Sequence, residues 1–558
     1  MFSIKRRFIL KKTNGGSTLT FSRSITRKSV IKKNGREGSL DSKASAAPMS
    51  AQGKGISRLR KDNKKTKSKF IHDYSVFPET LQYRLPLEEE RGKPPKEHSN
   101  IIKLIFEQGG VESMDMDINE EKFNRYPITN PSKLNKRKER PLSVKMLSSD
   151  FIEDSLYNVN YGYFSKEVVI FQPDKAFDYN HLAGQDEFMQ QWLQAYDKYD
   201  QDKANTLQVI KRPVHNSKTS DIKDKGAILE ENKAENDDNK ITKPSLQLWH
   251  TPTELFQPYY GEGLAKYILE SYKSNDSGHD LIIYEVGAGN GTLMLNILDY
   301  LEKHEPAFTR LLERHKNHVE VINKSILEWE TPVNEPCFLI ALEVFDNLSH
   351  DVVRYDIDTK RPYQGYVVID EHNDFHEYFS PTLDNLTKEL LELREQSQYP
   401  ISKLKNHPVN TIYPVRKLKE IFNPLRNNLS DPEYIPTRLY KFFKILNRYF
   451  PNHQIIASDF THFDKTIKGY NSPTVQTMYK DNMVNVDSYM VEQGYFDIMF
   501  PTDFRFINEL YKQVTKKQSE TCSHAEFLKR WADYEKTKTK SGENPMLELY
   551  SNAAFIYS

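Results

Sequence analysis

The feature that most restricts what this chain can fold into is the run from Leu281 to Lys303. There LIIYEV passes straight into Gly287-Ala-Gly289-Asn-Gly291 and then into TLMLNILDYLEK. The apolar run predicts a buried strand from Leu281 to Gly287. Leu293, Ile297, Leu298 and Leu301 fall on one face of a helix. The glycines between them let the backbone turn through positive φ and let a ligand approach where a Cβ would collide. HVEVI (His318 to Ile322), CFLIALEVF (Cys337 to Phe345), TRLYKFFKILNRYF after Pro436 and QIIASDF (Gln454 to Phe460) continue the alternation of apolar strands and helices. Such alternation predicts an α/β fold built on a Rossmann-like parallel sheet, with helical and irregular additions.

The chain has 558 residues, enough for two or three domains, with 37% hydrophobic and 28% charged residues. This is a polar balance that implies unstructured segments around an ordinary core. The net charge of +1 hides an asymmetry, because between Lys5 and Lys69 the only acids are Glu37, Asp41 and Asp62. Residues 1–69 are expected to be a leader and a basic disordered tail. Met1–Arg36 carries no acid, is rich in Arg, Lys, Ser and Thr, and has the composition of a mitochondrial transit peptide, which implies a matrix protein. An irregular segment, 70–141, is expected next. The sheet domain, 142–515, opens with a short amphipathic helix that ends in the aromatic turn Tyr161-Gly-Tyr-Phe164, and it is interrupted by a polar, disordered insertion at about 201–243. Residues 516–558 are expected to form a C-terminal helical extension. Two cysteines, Cys337 and Cys522, exclude a disulfide framework or a cysteine-based zinc site, and no metal is expected. No apolar run reaches the roughly 20 residues of a membrane span.

The spacing of the glycine loop bears on its ligand. A dinucleotide fingerprint is G-x-G-x-x-G, with a pyrophosphate on the helix N-terminus. Here the loop is G-x-G-x-G, and Glu285 stands two residues before it. An acid there repels phosphate and suits the ammonium group of S-adenosylmethionine. Upstream lies Trp249-His-Thr251-Pro-Thr-Glu254-Leu-Phe-Gln-Pro-Tyr-Tyr-Gly-Glu262, and downstream Glu343-Val-Phe-Asp346-Asn-Leu348. T-P-x-E-x-F-x-x-x-[FY]-G-E ahead of E-x-G-x-G-x-G-T-L resembles the MidA-like family of S-adenosylmethionine-dependent methyltransferases. The family includes a mitochondrial protein arginine methyltransferase of respiratory complex I assembly. Asp459-Phe460 and the segment from Gly494-Tyr-Phe-Asp497 to Asp503-Phe504 are similar to its later motifs. The resemblance covers roughly Leu142 to Asn508. It implies S-adenosylmethionine as cofactor, held by Thr251, Glu285, Gly287, Gly289, Gly291, Thr292 and, on the adenine side, Ser325. It further implies methyl transfer to a protein arginine, with a respiratory complex subunit as a candidate partner and no nucleic acid.

Glu343 and Asp346 follow the predicted fourth strand, at the edge where such sheets place substrates, and are the candidate catalytic pair. A guanidinium needs acids that grip it and aim one nitrogen at the methyl donor. His250 and His350 are weaker candidates for proton removal. One departure from the family pattern favours a catalytically inactive, methyltransferase-like assembly factor. The second strand, whose terminal acid binds the ribose about 20 residues beyond the loop, has no clear counterpart, and Glu313 and Glu320 are the nearest substitutes. A nucleotide-binding oxidoreductase conflicts with the loop spacing, and an RNA methyltransferase with the acidic balance left once a leader is removed.

Overall fold

A computed structural model describes residues 4–10, 71–73, 116–166, 168–210, 247–275, 278–305, 319–356, 359–396, 429–463, 471–479 and 482–558. Seven strands make the central sheet: β1 Ile4–Leu10, β2 Leu281–Val286, β3 Val319–Glu320, β4 Cys337–Leu342, β5 His453–Phe460, β6 Glu520–Ser523 and β7 Ala553–Tyr557. Their spatial order is β6-β7-β5-β4-β2-β1-β3. β2, β4 and β5 are parallel, with Ile283 opposite Phe338 and Leu339 opposite Ile455. β7 runs antiparallel to β5 and β6, and β1 antiparallel to β2 and β3.

Helices cover both faces of this sheet: α1 Tyr259–Ser274, α2 Thr292–His304, α3 Thr437–Tyr449, α4 Phe504–Thr515 and α5 His524–Trp531. Successive strand residues alternate between the two layers, as the period of two requires. Tyr284, Leu339 and Ala457 pack with Phe442, Phe443 and Tyr511 of α3 and α4. Ile283, Ile340 and Ile456 pack with Ile268, Ile297 and Phe527 of α1, α2 and α5. Because β2 and β4 are buried on both faces they read as unbroken apolar runs. Each fully buried Leu, Ile or Phe contributes about 1.5–3 kcal/mol before chain entropy is counted. A second, antiparallel sheet includes Val144–Leu147, Asp351–Tyr355, Pro362–Ile369 and Phe375–Ser380. The helix Ser148–Tyr157 packs on it. Arg438 of α3 reaches Asp150 at 2.6 Å and Glu153 at 2.9 Å and so ties that helix to the central domain.

The α/β, Rossmann-like expectation agrees with this architecture, and three of its boundaries change. Residues 516–558 are not a helical extension: β6 and β7 complete the sheet, and Phe555 and Ile556 of β7 are fully buried. Ile4–Leu10, expected in a transit-peptide leader, forms β1 and fills the position beside β2. The helix Gln185–Ile210 runs into the expected insertion, the rest of which, with residues 306–318 and their Glu313, lies outside the described residues. Among the described residues no helix is long and apolar enough to cross a membrane, and no cluster could hold a metal ion.

Candidate active site

The glycine loop leaves the end of β2 with φ of +73° at Gly287, +47° at Gly289 and +86° at Gly291, and the last of these caps α2. A Cβ on Gly289 would come within 2.8 Å of Cδ1 of Ile170. Ile170 belongs to the strand Val168–Ile170, which pairs in parallel with Gln247–Trp249 to form a two-stranded flap over the loop. Loop, flap and the C-terminal ends of β4 and β5 enclose a cavity of about 800 Å³, within the range of about 300–1,000 Å³ usual for small-molecule sites.

Five carboxyl side chains line this cavity: Glu254, Glu285, Glu343, Asp346 and Asp497. Among the described residues that line it there is no Lys or Arg. Glu343 stands just past the end of β4 at φ +51° and donates its N–H to the Ser458 carbonyl at 2.9 Å. A left-handed glutamate is a strained position of the kind found at functional sites. The strain is held by Asp459, whose Oδ2 accepts the N–H groups of Val344, Phe345 and Asp346 at 3.0, 2.7 and 3.3 Å. Asp459 therefore shapes the turn that carries the pair. Burial, reinforced by the Asp459 charge, pushes Glu343 up to about 8. Burial and the nearby Asp459, Asp497 and Glu343 raise Asp346 well above the carboxylate range. Its Oδ1 is buried with no hydrogen-bond partner among the described residues. Asp497 is pushed up to about 7 by burial and accepts from Asn347 Nδ2 at 3.2 Å. The Asn347 carbonyl in turn takes the Tyr157 hydroxyl at 3.0 Å.

The structure brings most of the sequence-derived residues together. Thr251, Glu285, Gly287, Gly289, Thr292, Glu343 and Asp346 all line the cavity. Gly291 shapes the loop without lining it. Ser325 is elsewhere, in a separate cleft of about 40 Å³ beside Glu153 and Leu348, because the chain after β3 turns into the short helix Ile326–Glu328. Asn323 faces the cavity in its place. Glu320 is exposed on β3, and among the described residues no carboxylate from that side reaches the cavity. His350 is buried and stacked on Phe500 at 3.9 Å, with burial holding it down to about 3, so it is a neutral structural ring. His250 lines the cavity, edge-on to Trp192 at 4.6 Å. Asp497 stood in the sequence only as part of a family-like motif with no site role, Tyr550 came from a distant segment without a signal, and Glu254 was visible in T-P-x-E but was not assigned to the site.

These residues fit a cofactor that carries an ammonium group. The loop is bare of side chains where a ligand would lie against it, and acids stand at both of its ends. Residues 263–522 match the model of a family described as "Putative S-adenosyl-L-methionine-dependent methyltransferase". Over that segment the chain is similar to this methyltransferase family. Similar members include the mitochondrial protein arginine methyltransferase NDUFAF7 homolog of Schizosaccharomyces pombe, 24% identical over 332 residues that cover 52% of this chain and 68% of the relative. The protein of the same name in Saccharomyces cerevisiae is 22% identical over 346 residues, covering 53% and 77%. A Burkholderia thailandensis structure bound to S-adenosyl-homocysteine aligns with a TM-score of 0.40 at 12% identity, over 74% of this chain and 88% of that one. A second, native structure from that organism gives 0.35 at 12%, over 54% and 79%. The cofactor of this methyltransferase is S-adenosylmethionine, which supplies a methyl group on a sulfonium sulfur.

Proposed function

We propose that this methyltransferase acts on arginine side chains of a mitochondrial protein, with Glu343 and Asp346 gripping the guanidinium. The observation that carries the reading is the excess of buried carboxyl groups, in a cavity that no lysine or arginine lines among the described residues. Burying such groups is costly unless a cation compensates them. A guanidinium is a cation of fixed planar geometry with five N–H donors, and it stays protonated because its pKa exceeds 12. Asp346 Oδ1 and the Glu343 carboxylate would accept those donors and turn one nitrogen toward the cofactor. As that nitrogen takes the methyl group it gives up a proton, for which Glu343, pushed up to about 8, is an acceptor of suitable strength. The stacked rings of Tyr157 and Phe164, 5.3 Å apart at 12°, line the same cavity and would pack against a flat group. The names of the two yeast relatives support a mitochondrial location, the acid-free N-terminus points to the matrix, and the family resemblance alone points to a respiratory complex subunit as substrate.

The test is transfer of labelled methyl groups into mitochondrial extract depleted of the endogenous enzyme, followed by hydrolysis and identification of the labelled product. Methylarginine is expected. Label in lysine, RNA or a small metabolite would overturn the substrate assignment, and cofactor binding without transfer would make the chain an inactive assembly factor.

A further inference from the structure

Thr251 caps the short helix Pro252–Leu255, its side chain accepting the Glu254 N–H at 3.4 Å. The cap aims Glu254 at the glycine loop. Its Oε1 accepts Thr292 Oγ1 at 2.8 Å and Asn290 Nδ2 at 3.1 Å, which braces the loop and the first residue of α2. Its Oε2 is different. Glu254 is only 2% exposed and lines the cavity, and Oε2 has no hydrogen-bond partner among the described residues.

Proteins rarely bury a carboxylate oxygen without a donor, and when they do a ligand is a common reason. The cavity wall offers no Lys or Arg among the described residues, so the donor must arrive with what binds there. S-adenosylmethionine brings one cationic N–H group, the α-ammonium of its methionine end. Its sulfonium has no hydrogen to donate, and its adenine amino group and ribose hydroxyls are neutral. Glu254 is tied to Asn290 and Thr292, at the loop end of the cavity, whereas the ribose and adenine of a Rossmann-type ligand lie toward the neighbouring strands.

We propose that Glu254 is the anchor of the cofactor's α-ammonium, with Oε2 accepting from it while Thr292 and Asn290 hold Oε1 in place. Glu285, at the other end of the loop, lines the same cavity, and an ammonium has three N–H donors to share between the two acids. Burial raises the Glu254 carboxyl above its ordinary value while the hydrogen bonds from Thr292 and Asn290 lower it, so a bound cation would complete its ionisation. The brace gives Glu254 a second consequence: cofactor binding and loop geometry are read by the same side chain.

The inference rests on the cofactor occupying this cavity, and the experiment separates the two. Dissociation constants of S-adenosylhomocysteine and of 5′-methylthioadenosine, which lacks the amino-acid end, are measured by calorimetry for the parent and for Glu254→Gln. Glutamine keeps a carbonyl oxygen for Thr292 and Asn290 but puts an N–H donor where Oε2 was. S-adenosylhomocysteine should bind about 10- to 100-fold more weakly to the variant. 5′-Methylthioadenosine should change less than about twofold, which also reports an intact site. Equal weakening of both ligands would make Glu254 a loop brace only, and unchanged affinity for both would remove it from the site. Failure of the parent to bind S-adenosylhomocysteine would overturn the cofactor site itself.

Discussion

In the proposed mechanism Glu343 both grips the guanidinium and takes its proton, and the titration of this residue gives that proposal a sign. An ordinary glutamate titrates near 4.3, whereas burial beside Asp459 pushes Glu343 up to about 8. A carboxyl raised on folding contributes stability that is fully present below the unfolded value and is lost as pH rises through the folded one. Glu343→Gln should therefore gain on the parent between pH 5 and pH 9, with a difference of about 2 °C in Tm opening on the alkaline side. A bound guanidinium selects the ionised form, so the affinity for an arginine-bearing substrate should rise up to about tenfold from pH 7 to pH 9. In Glu343→Gln that rise should be absent, and a parent profile without any rise would count against Glu343 as the substrate's acid. His524 works in the opposite sense. It is buried between Tyr260 and Phe555, neither ring nitrogen has a partner among the described residues, and burial lowers it to about 3. Its stability contribution is complete above about pH 6.5 and is lost as pH falls below that. His524→Phe should raise Tm relative to the parent at pH 5 and change it little at pH 8, and equal shifts at both values would contradict the assignment.

At the scale of elements, the cavity depends on two close approaches. Gly494, at φ +86°, leaves a Cβ only 1.7 Å from the Tyr161 carbonyl oxygen, so Gly494→Ala must push apart the aromatic turn and the segment that carries Asp497. A loss of roughly 3 kcal/mol or more in denaturant unfolding is expected. Gly289→Ala is milder: about 1 kcal/mol for the left-handed backbone, plus the contact with Ile170 Cδ1 at 2.8 Å. Ile170→Val removes that carbon, so the double variant should recover the contact part of the loss and not the backbone part. Simple additivity would show that the flap does not press on the loop. The loop was legible in the sequence because its glycines follow an apolar strand and precede a one-faced helix. Glu343 and Asp346 were legible because they follow the next apolar run. The flap was not, because Val168–Ile170 and Gln247–Trp249 are three-residue strands too short to carry a period, and chain far apart in sequence joins them. Ser325 was misplaced because sequence order after β3 does not show which way the chain turns.

For the whole molecule, the parallel core of β2, β4 and β5 could be read from the sequence, since burial on both faces leaves an unmistakable apolar run. The edges could not. Glu520–Ser523 is polar and mostly exposed, and Ala553–Tyr557 is short, so neither looked like part of the sheet. IKRRFIL has a leader's composition, and nothing local shows that it pairs with β2. Deleting residues 1–12 should lower Tm by several degrees and raise hydrogen exchange along Ile282–Val286. Unchanged protection there would remove β1 from the sheet in solution. The account as a whole rests on an acidic cavity that presents a cationic nitrogen to a methyl donor. The direct measurement is the rate of labelled methyl transfer to protein arginine at saturating S-adenosylmethionine, for the parent, Glu343→Gln and Asp346→Asn, with cofactor affinity measured alongside. Each amide variant should be slower by about 10²-fold or more while binding the cofactor nearly as the parent does. Transfer at the parental rate in both variants, or a parent that binds cofactor and transfers nothing to arginine, would contradict it.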